Sequence, residues 1–265
     1  YVVDMDSEIN QDLNLDGIGD YWVNGGVNGH HWGDYDNDGD LDYVQGGFDN
    51  AYVRHLDVFY NDNGVLRLDT NQTNLIPINP AIVHWSDLNR DGRLDLVSIG
   101  ADAEQSLRMR VYINNSNYIL TPSITWESEI FGVTAGAIAF GDYNSDGYDD
   151  FALTGMNGDG DLITYVVQNG INSFIVTHIL QGVYYGKPAW GDYDSDGDLD
   201  LFVGGRVVPG SYPLPADSFL LVNQSDKDEI KFVNADYSDF PFRDIGLVTS
   251  SVWVDYNNDS WKDLI

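Results

Sequence analysis

Six short runs of this chain carry aspartates at spacings that bring several carboxylates onto one point. They share the pattern D-x-[DN]-x-D-[GS]-x-x-D: DLNLDGIGD from Asp12, DYDNDGDLD from Asp34, DLNRDGRLD from Asp87, DYNSDGYDD from Asp142, DYDSDGDLD from Asp192 and DYNNDSWKD from Asp255. Positions 1, 5 and 9 are always aspartate: Asp12, Asp16 and Asp20; Asp34, Asp38 and Asp42; Asp87, Asp91 and Asp95; Asp142, Asp146 and Asp150; Asp192, Asp196 and Asp200; Asp255, Asp259 and Asp263. Position 3 is Asp36 or Asp194 in two runs and Asn14, Asn89, Asn144 or Asn257 in the others, and both residue types offer an oxygen. Side-chain oxygens at positions 1, 3 and 5 converge when the chain turns tightly. A glycine at position 6 permits a backbone that a side chain would obstruct. Position 7 gives its carbonyl, so its type is free: Ile18, Asp40, Arg93, Tyr148, Asp198 and Trp261. Position 9 returns a carboxylate that can bind with both oxygens.

An all-oxygen set of this kind suits a hard dication that takes six to eight ligands at about 2.3–2.6 Å, which is Ca²⁺. Mg²⁺ prefers a smaller octahedral shell and keeps its waters, and zinc calls for His or Cys, which the runs lack. More than half of the 43 acids lie in these runs, where carboxylates without cations would repel one another. The expectation is four to six bound Ca²⁺ ions.

Five of the six runs recur with a period of about 50–60 residues, which signals stacked repeats. An aromatic stands two residues ahead of the first Asp (Trp32, Trp85, Phe140, Trp190, Trp253), and after position 9 comes a strand-like run closed by glycine, as in DYVQGG, DLVSIG, DFALTG and DLFVGG. Two further β-branched and aromatic runs follow, as in LDVFYNDNGVLRL, MRVYINNSNYIL and ITYVVQNGINSFIV, split by turn residues. No segment keeps a 3.6-residue apolar period. Each unit therefore reads as four antiparallel strands with the acidic loop between the first and second, and such units side by side make an all-β propeller. Complete blades are expected over 27–78, 79–131, 132–182 and 183–244, with a partial unit at 1–26 and the start of another blade at 245–265. On this count the 265 residues, opening at Tyr1, are expected to be part of a longer propeller chain, or to have their missing strands supplied by a partner chain.

The formal net charge of −31 excludes a general nucleic-acid binder, because a polyanion would be repelled. It also disfavours an anionic membrane surface unless a dication bridges the two. No apolar stretch approaches 18 residues, so no direct membrane insertion is expected. The absence of cysteine rules out disulfides and leaves bound metal as the available staple.

The segments WGDYDNDGDLDYV, FGDYNSDGYDDFAL and WGDYDSDGDLDLFV resemble FG-GAP or VCBS repeats, the blades of integrin α-subunit-like propellers, and the resemblance runs from Asp12 to the end. It implies Ca²⁺ on the loop joining the first two strands of each blade, with side-chain ligands Asp34, Asp36, Asp38 and Asp42 and their counterparts. It further implies an extracellular or cell-surface role in adhesion or ligand recognition, toward a protein or glycan partner. Two departures stand out. Ser260 replaces the glycine of the last loop, and the loop at Asp12 lacks its own blade.

The leading reading is a secreted structural and interaction module in which the metal fixes blade geometry. The second is a lectin, with Tyr184, Tyr185, Tyr212 and Trp126 as exposed rings for sugars, weighed against their packing between blades. The third is an enzyme, a hydrolase or lyase; the loop acids are committed to metal, no nucleophile motif is present, and His31 and His84 hold repeat-equivalent places that fit packing. His30, His55 and His178 complete the histidines. Sequons at Asn71, Asn114 and Asn223 lie at turns or strand ends and are candidates for glycan, whereas the sequon at Asn258 falls inside an acidic loop. The insert VVPGSYPLPADS (207–218) is either a displayed loop or a blade connector.

Overall fold

The structure is a computed structural model that describes residues 28–49, 51–126, 131–171, 173–226, 229–235 and 245–265. The unit at 1–26 and its loop Asp12–Asp20 (Asp12, Asn14, Asp16, Ile18, Asp20) lie outside the described residues. Two compact units are formed, one within Tyr1–Asp87 and Asp91–Gly132, the other within Leu88–Arg90 and Val133–Ile265. Among the described residues there is no helix, hence none long and apolar enough to cross a membrane.

The first unit holds two sheets. One is β1 (His30–Gly33), β2 (Asp42–Phe48), β3 (Arg54–Asp62) and β4 (Val65–Leu68); the other is β5 (Ile82–Ser86), β6 (Asp95–Ala101), β7 (Leu107–Asn114) and β8 (Leu120–Pro122). The second unit repeats the plan with β9 (Val133–Gly141), β10 (Asp150–Asn157), β11 (Leu162–Asn169) and β12 (Phe174–Gln181), then β13 (Lys187–Gly191), β14 (Asp200–Gly204), β15 (Phe219–Asn223) and β16 (Phe232–Asn234). A two-stranded start, β17 (Trp253–Val254) and β18 (Asp263–Leu264), follows. Every complete sheet is an antiparallel meander whose neighbours in space are neighbours in sequence. These are the four-stranded antiparallel blades of a β-propeller fold.

The second strand of each blade is covered on both faces: β2, β6, β10 and β14 are buried along nearly their whole length. That is why DLVSIG and DLFVG read as continuous apolar runs where a half-buried strand would alternate. Fourth strands lie at one edge of each sheet. Three of them have 3 or 4 residues, while β12 has 8, pairs among the described residues with β11 alone, and leaves Ile175 and Ile179 exposed at 49% and 64%.

Each unit closes its core with the aromatic that precedes an acidic loop. Trp85 on β5 is buried within a cluster of Tyr35, Val44, Leu56, Val83 and Leu96, and stacks on Tyr35 at 5.5 Å and 9°. Trp190 on β13 stacks on Tyr143 at 5.5 Å and 18°. The glycine in W-G-D has its reason here. A Cβ at Gly33 would sit 2.8 Å from Trp85 Cδ1, one at Gly141 2.9 Å from Trp190 Cδ1, and one at Gly191 2.2 Å from Trp253 Cγ. The glycine of one blade is thus the floor for the tryptophan of the next.

Candidate metal centres

The five described acidic segments each join the first strand of a blade to its second, and position 9 is the first residue of that second strand in all of them. Position 6 takes the left-handed conformation, with φ of 96°, 83°, 87° and 98° at Gly39, Gly92, Gly147 and Gly197. Ser260 adopts it too, at 76°, which a side chain opposes; its N–H still donates to Asp255 Oδ2 at 2.9 Å. Position 4 is a second left-handed point that the sequence reading passed over: Asn37, Arg90, Ser145, Ser195 and Asn258 have φ between 57° and 60°. Asparagine at two of these places was the available signal, since it tolerates this region better than most residues.

Those two turns aim the backbone N–H groups inward at the acids. The carboxylate at position 1 accepts from positions 5 and 6, as Asp142 does from Asp146 N (3.0 Å) and Gly147 N (2.8 Å), and Asp87 from Asp91 N (3.0 Å) and Gly92 N (2.9 Å). Position 3 accepts from position 5: Asp146 N to Asn144 Oδ1 at 2.9 Å, Asp259 N to Asn257 Oδ1 at 2.9 Å. Position 5 accepts from position 7, from Asp40, Arg93, Tyr148, Asp198 and Trp261 onto Asp38, Asp91, Asp146, Asp196 and Asp259. Asn89 is the position-3 residue of the loop at Asp87.

The carboxylates converge as the spacing requires. Asp34, Asp36 and Asp42 place one oxygen each within 4.8 Å of one another, and Asp192, Asp194 and Asp200 do the same. Position 9 is fully buried in the four complete blades, at Asp42, Asp95, Asp150 and Asp200. Burial pushes the carboxyls of Asp42 and Asp200 up to about 6 and that of Asp150 to about 7, against the pull of backbone N–H bonds and with facing loop acids adding to the rise. Asp36 and Asp194 are raised for the same first reason. Asp192 Oδ1 is buried and makes no hydrogen bond among the described residues. Converged, buried and partly unpartnered oxygens are a donor set that a hard cation fits. The loop at Asp87 differs in one respect, because Arg93 Nη2 pairs with Asp91 Oδ2 inside it.

A further residue class emerges at the end of the third strands. Asn61, Asn114, Asn169 and Asn223 each donate a backbone N–H to Oδ1 of the position-9 aspartate of their own blade, at 2.8 Å in all four. They stand 19 residues after that aspartate in three blades and 23 in the blade with the long insert. That register was visible in VFYN, VYIN, VVQN and LLVN, but asparagine before a turn reads as turn chemistry.

Two of these positions overturn an expectation. Asn114 and Asn223 are 0% and 2% exposed, and their amide nitrogens donate to backbone carbonyls, so neither sequon has room for a glycan. Asn71 is exposed and donates to Asp69 Oδ1 at 2.9 Å. Trp126 is also corrected: at 4% exposure it is core, not a displayed ring. Tyr185 and Tyr212 are exposed at 42% and 76%, and Tyr184 is half-buried.

Among the histidines, the rings of His31 and His84 lie with centroids 3.8 Å apart and planes tilted by 32°, and His84 Nδ1 donates to Trp85 O at 2.7 Å. His55 lies between two carboxylates, Nδ1 at 3.1 Å from Asp57 and Nε2 at 3.2 Å from Asp49. The Asp57 hydrogen bond is the largest cause raising His55 above its ordinary value, and partial burial opposes it. A histidine raised in the folded state stabilises below the unfolded value near 6.5, and that contribution is lost as pH rises through the folded value. The melting temperature is therefore expected to fall as pH rises above about 6.5, and His55→Gln to flatten that fall. Equal pH slopes for both proteins would reject this role for His55.

The fold and loops define a class: a repeat-built propeller protein whose blades each carry an acidic loop between their first two strands. Comparison with protein families matches residues 87–153 to the FG-GAP-like repeat, so the chain carries a repeat of that family. No curated protein matched the sequence.

Proposed function

We propose that the acidic loops bind Ca²⁺ and that the chain is an extracellular recognition or assembly module whose blades the metal holds in shape. The observation that carries this is that Asp34, Asp36 and Asp42, and likewise Asp192, Asp194 and Asp200, each bring one oxygen within 4.8 Å of one another. In each loop the side chains at positions 1, 3, 5 and 9 would hold the ion, with the carbonyl at position 7 (Asp40, Arg93, Tyr148, Asp198, Trp261). What the ion supplies is charge: it neutralises carboxylates that burial disfavours and ties the start of the second strand to the end of the first. The FG-GAP-like repeat supports the module reading. A modest affinity, with Kd about 10⁻⁴–10⁻³ M, suits extracellular calcium. The partner is a protein or glycan, or further blades or a partner chain that extends the array. The loop acids serve the metal in this reading and leave none for catalysis.

Calorimetric titration of the chain with CaCl₂ tests it. At least four ions are expected, with MgCl₂ binding far more weakly; no heat up to millimolar CaCl₂ overturns the proposal.

A glycan partner has one specific observation in its favour. Tyr185 is exposed in a left-handed conformation (φ 53°), fixed by its N–H to Ala135 O at 2.7 Å, with Tyr184 edge-on at 4.6 Å and the Arg206 guanidinium 6.0 Å from its ring. A rigid ring beside a planar donor suits a pyranose. Loss of glycan-array signal in Tyr185→Ala, against wild type that binds, would support it; an array blank for wild type would remove it.

A further inference from the structure

The strand-three asparagines do more than hold their own loops. The side-chain amide of Asn114 donates to the carbonyl of Tyr35 at 2.7 Å, and Tyr35 is position 2 of the preceding blade's loop. Asn223 reaches Tyr143 O at 3.1 Å and Asn169 reaches Leu88 O at 2.9 Å, again position 2 of the preceding loop in each case. The orientation of these amides is not arbitrary. Asn114 faces two carbonyls, of Tyr35 and of Leu94 (3.1 Å), and Asn223 faces Tyr143 and Leu199 (3.2 Å), so only the NH₂ end fits there.

In the first unit the connection is unbroken. The Asp42 carboxylate accepts from Tyr35 N at 2.9 Å, Tyr35 O accepts from the Asn114 amide, and Asn114 N donates to Asp95 at 2.8 Å. Position-9 carboxylates of successive loops are thus joined through one residue, Tyr35, by its N–H on one side and its carbonyl on the other, and one asparagine. A second tie runs the same way from position 4. Asn37 Nδ2 donates to Gly92 O at 3.0 Å, and the Arg90 guanidinium lies 5.1 Å from the Tyr148 ring, each reaching position 6 or 7 of the next loop.

We infer that Asn114 and Asn223, each within one unit, are positioning residues that couple cation binding between successive loops, so that filling one loop raises the affinity of the next. The inference rests on the loops being calcium sites. Ordering gives its sign, because these asparagines are buried and held in one arrangement. A cation that orders one loop also fixes position 2 and position 4, which the neighbouring loop then need not order on its own. Repulsion between bound dications acts in the opposite sense. It is screened over about 8 Å at physiological ionic strength, so the experiment belongs at that salt.

The test is a calorimetric titration of the full 265-residue chain with CaCl₂ at that ionic strength, wild type beside Asn114→Ala and Asn37→Gly. Asn37→Gly keeps the left-handed backbone and removes an exposed side chain, so it answers even where the buried variant fails to fold. Wild type is expected to bind later ions about fivefold or more tightly than the first, the lower end of ordinary coupling. Both variants should retain the number of ions with stepwise affinities closer to equal. A wild-type isotherm that fits independent sites overturns the coupling and leaves the calcium reading standing. Variants with unchanged steepness overturn the assignment to these residues, and no binding at all overturns both readings together.

Discussion

Excess EGTA is expected to lower the melting temperature of this protein by a few degrees where Kd is about 10⁻³ M and by more than about 10 °C where it is about 10⁻⁴ M. Binding stabilises by RT ln(1 + [L]/Kd), which at millimolar calcium and a Kd of 10⁻⁴ M is about 1.4 kcal/mol per site. Four loops in complete blades would together contribute about 6 kcal/mol, and about 2–4 °C accompanies each kcal/mol in a chain of this size. The structural basis is the burial of Asp42, Asp95, Asp150 and Asp200, the first, third and fourth of them with other loop carboxylates facing them. CaCl₂ should restore the melt and MgCl₂ should not. A melt indifferent to EGTA would remove the metal as a staple and leave the blades held by packing alone.

Trp85→Ala comes second. Its ring is 3% exposed, lies flat on Tyr35, and covers Gly33 of the preceding blade. Removing a large buried aromatic costs about 3–5 kcal/mol, hence about 6–20 °C of melting temperature. Because the loss is one of packing, it should persist in EGTA. The Tyr35 hydroxyl is anchored to Asp69 at 2.7 Å, so the ring cannot easily move to fill the space. Trp85→Phe should recover part of the loss; a deficit under about 1 kcal/mol for the alanine variant would mean the site collapses freely, which the anchor argues against.

The parts of this molecule that were legible in the sequence are those fixed by short-range spacing. A loop whose positions 1, 3, 5, 6 and 9 are constrained announces itself, and a strand buried on both faces shows as an unbroken apolar run. The asparagines at 61, 114, 169 and 223 are not legible, because their partners lie 19 to 23 residues away in their own blade and, for Asn114, Asn169 and Asn223, also about 80 away in the preceding loop. Sequons misled for the same reason: three local residues say nothing about burial, and Asn114 and Asn223 are spent inside. Trp126 stands in the polar stretch SITWES, whose neighbours give no sign of the core it enters.

The long fourth strand β12 has a consequence for the protein in concentrated solution. An edge strand of 8 residues that pairs on one side only among the described residues is a template on which a strand of another molecule can be added. Its short counterparts β4, β8 and β16 offer too few groups for that. β12 carries a partial safeguard, a register break against β11 at Val166/Val167 that increases local twist and spoils a flat pairing. Self-association, where it occurs, should therefore begin along FIVTHILQ, and a lysine at Ile175 or Ile179 would blunt it while leaving every acidic loop untouched.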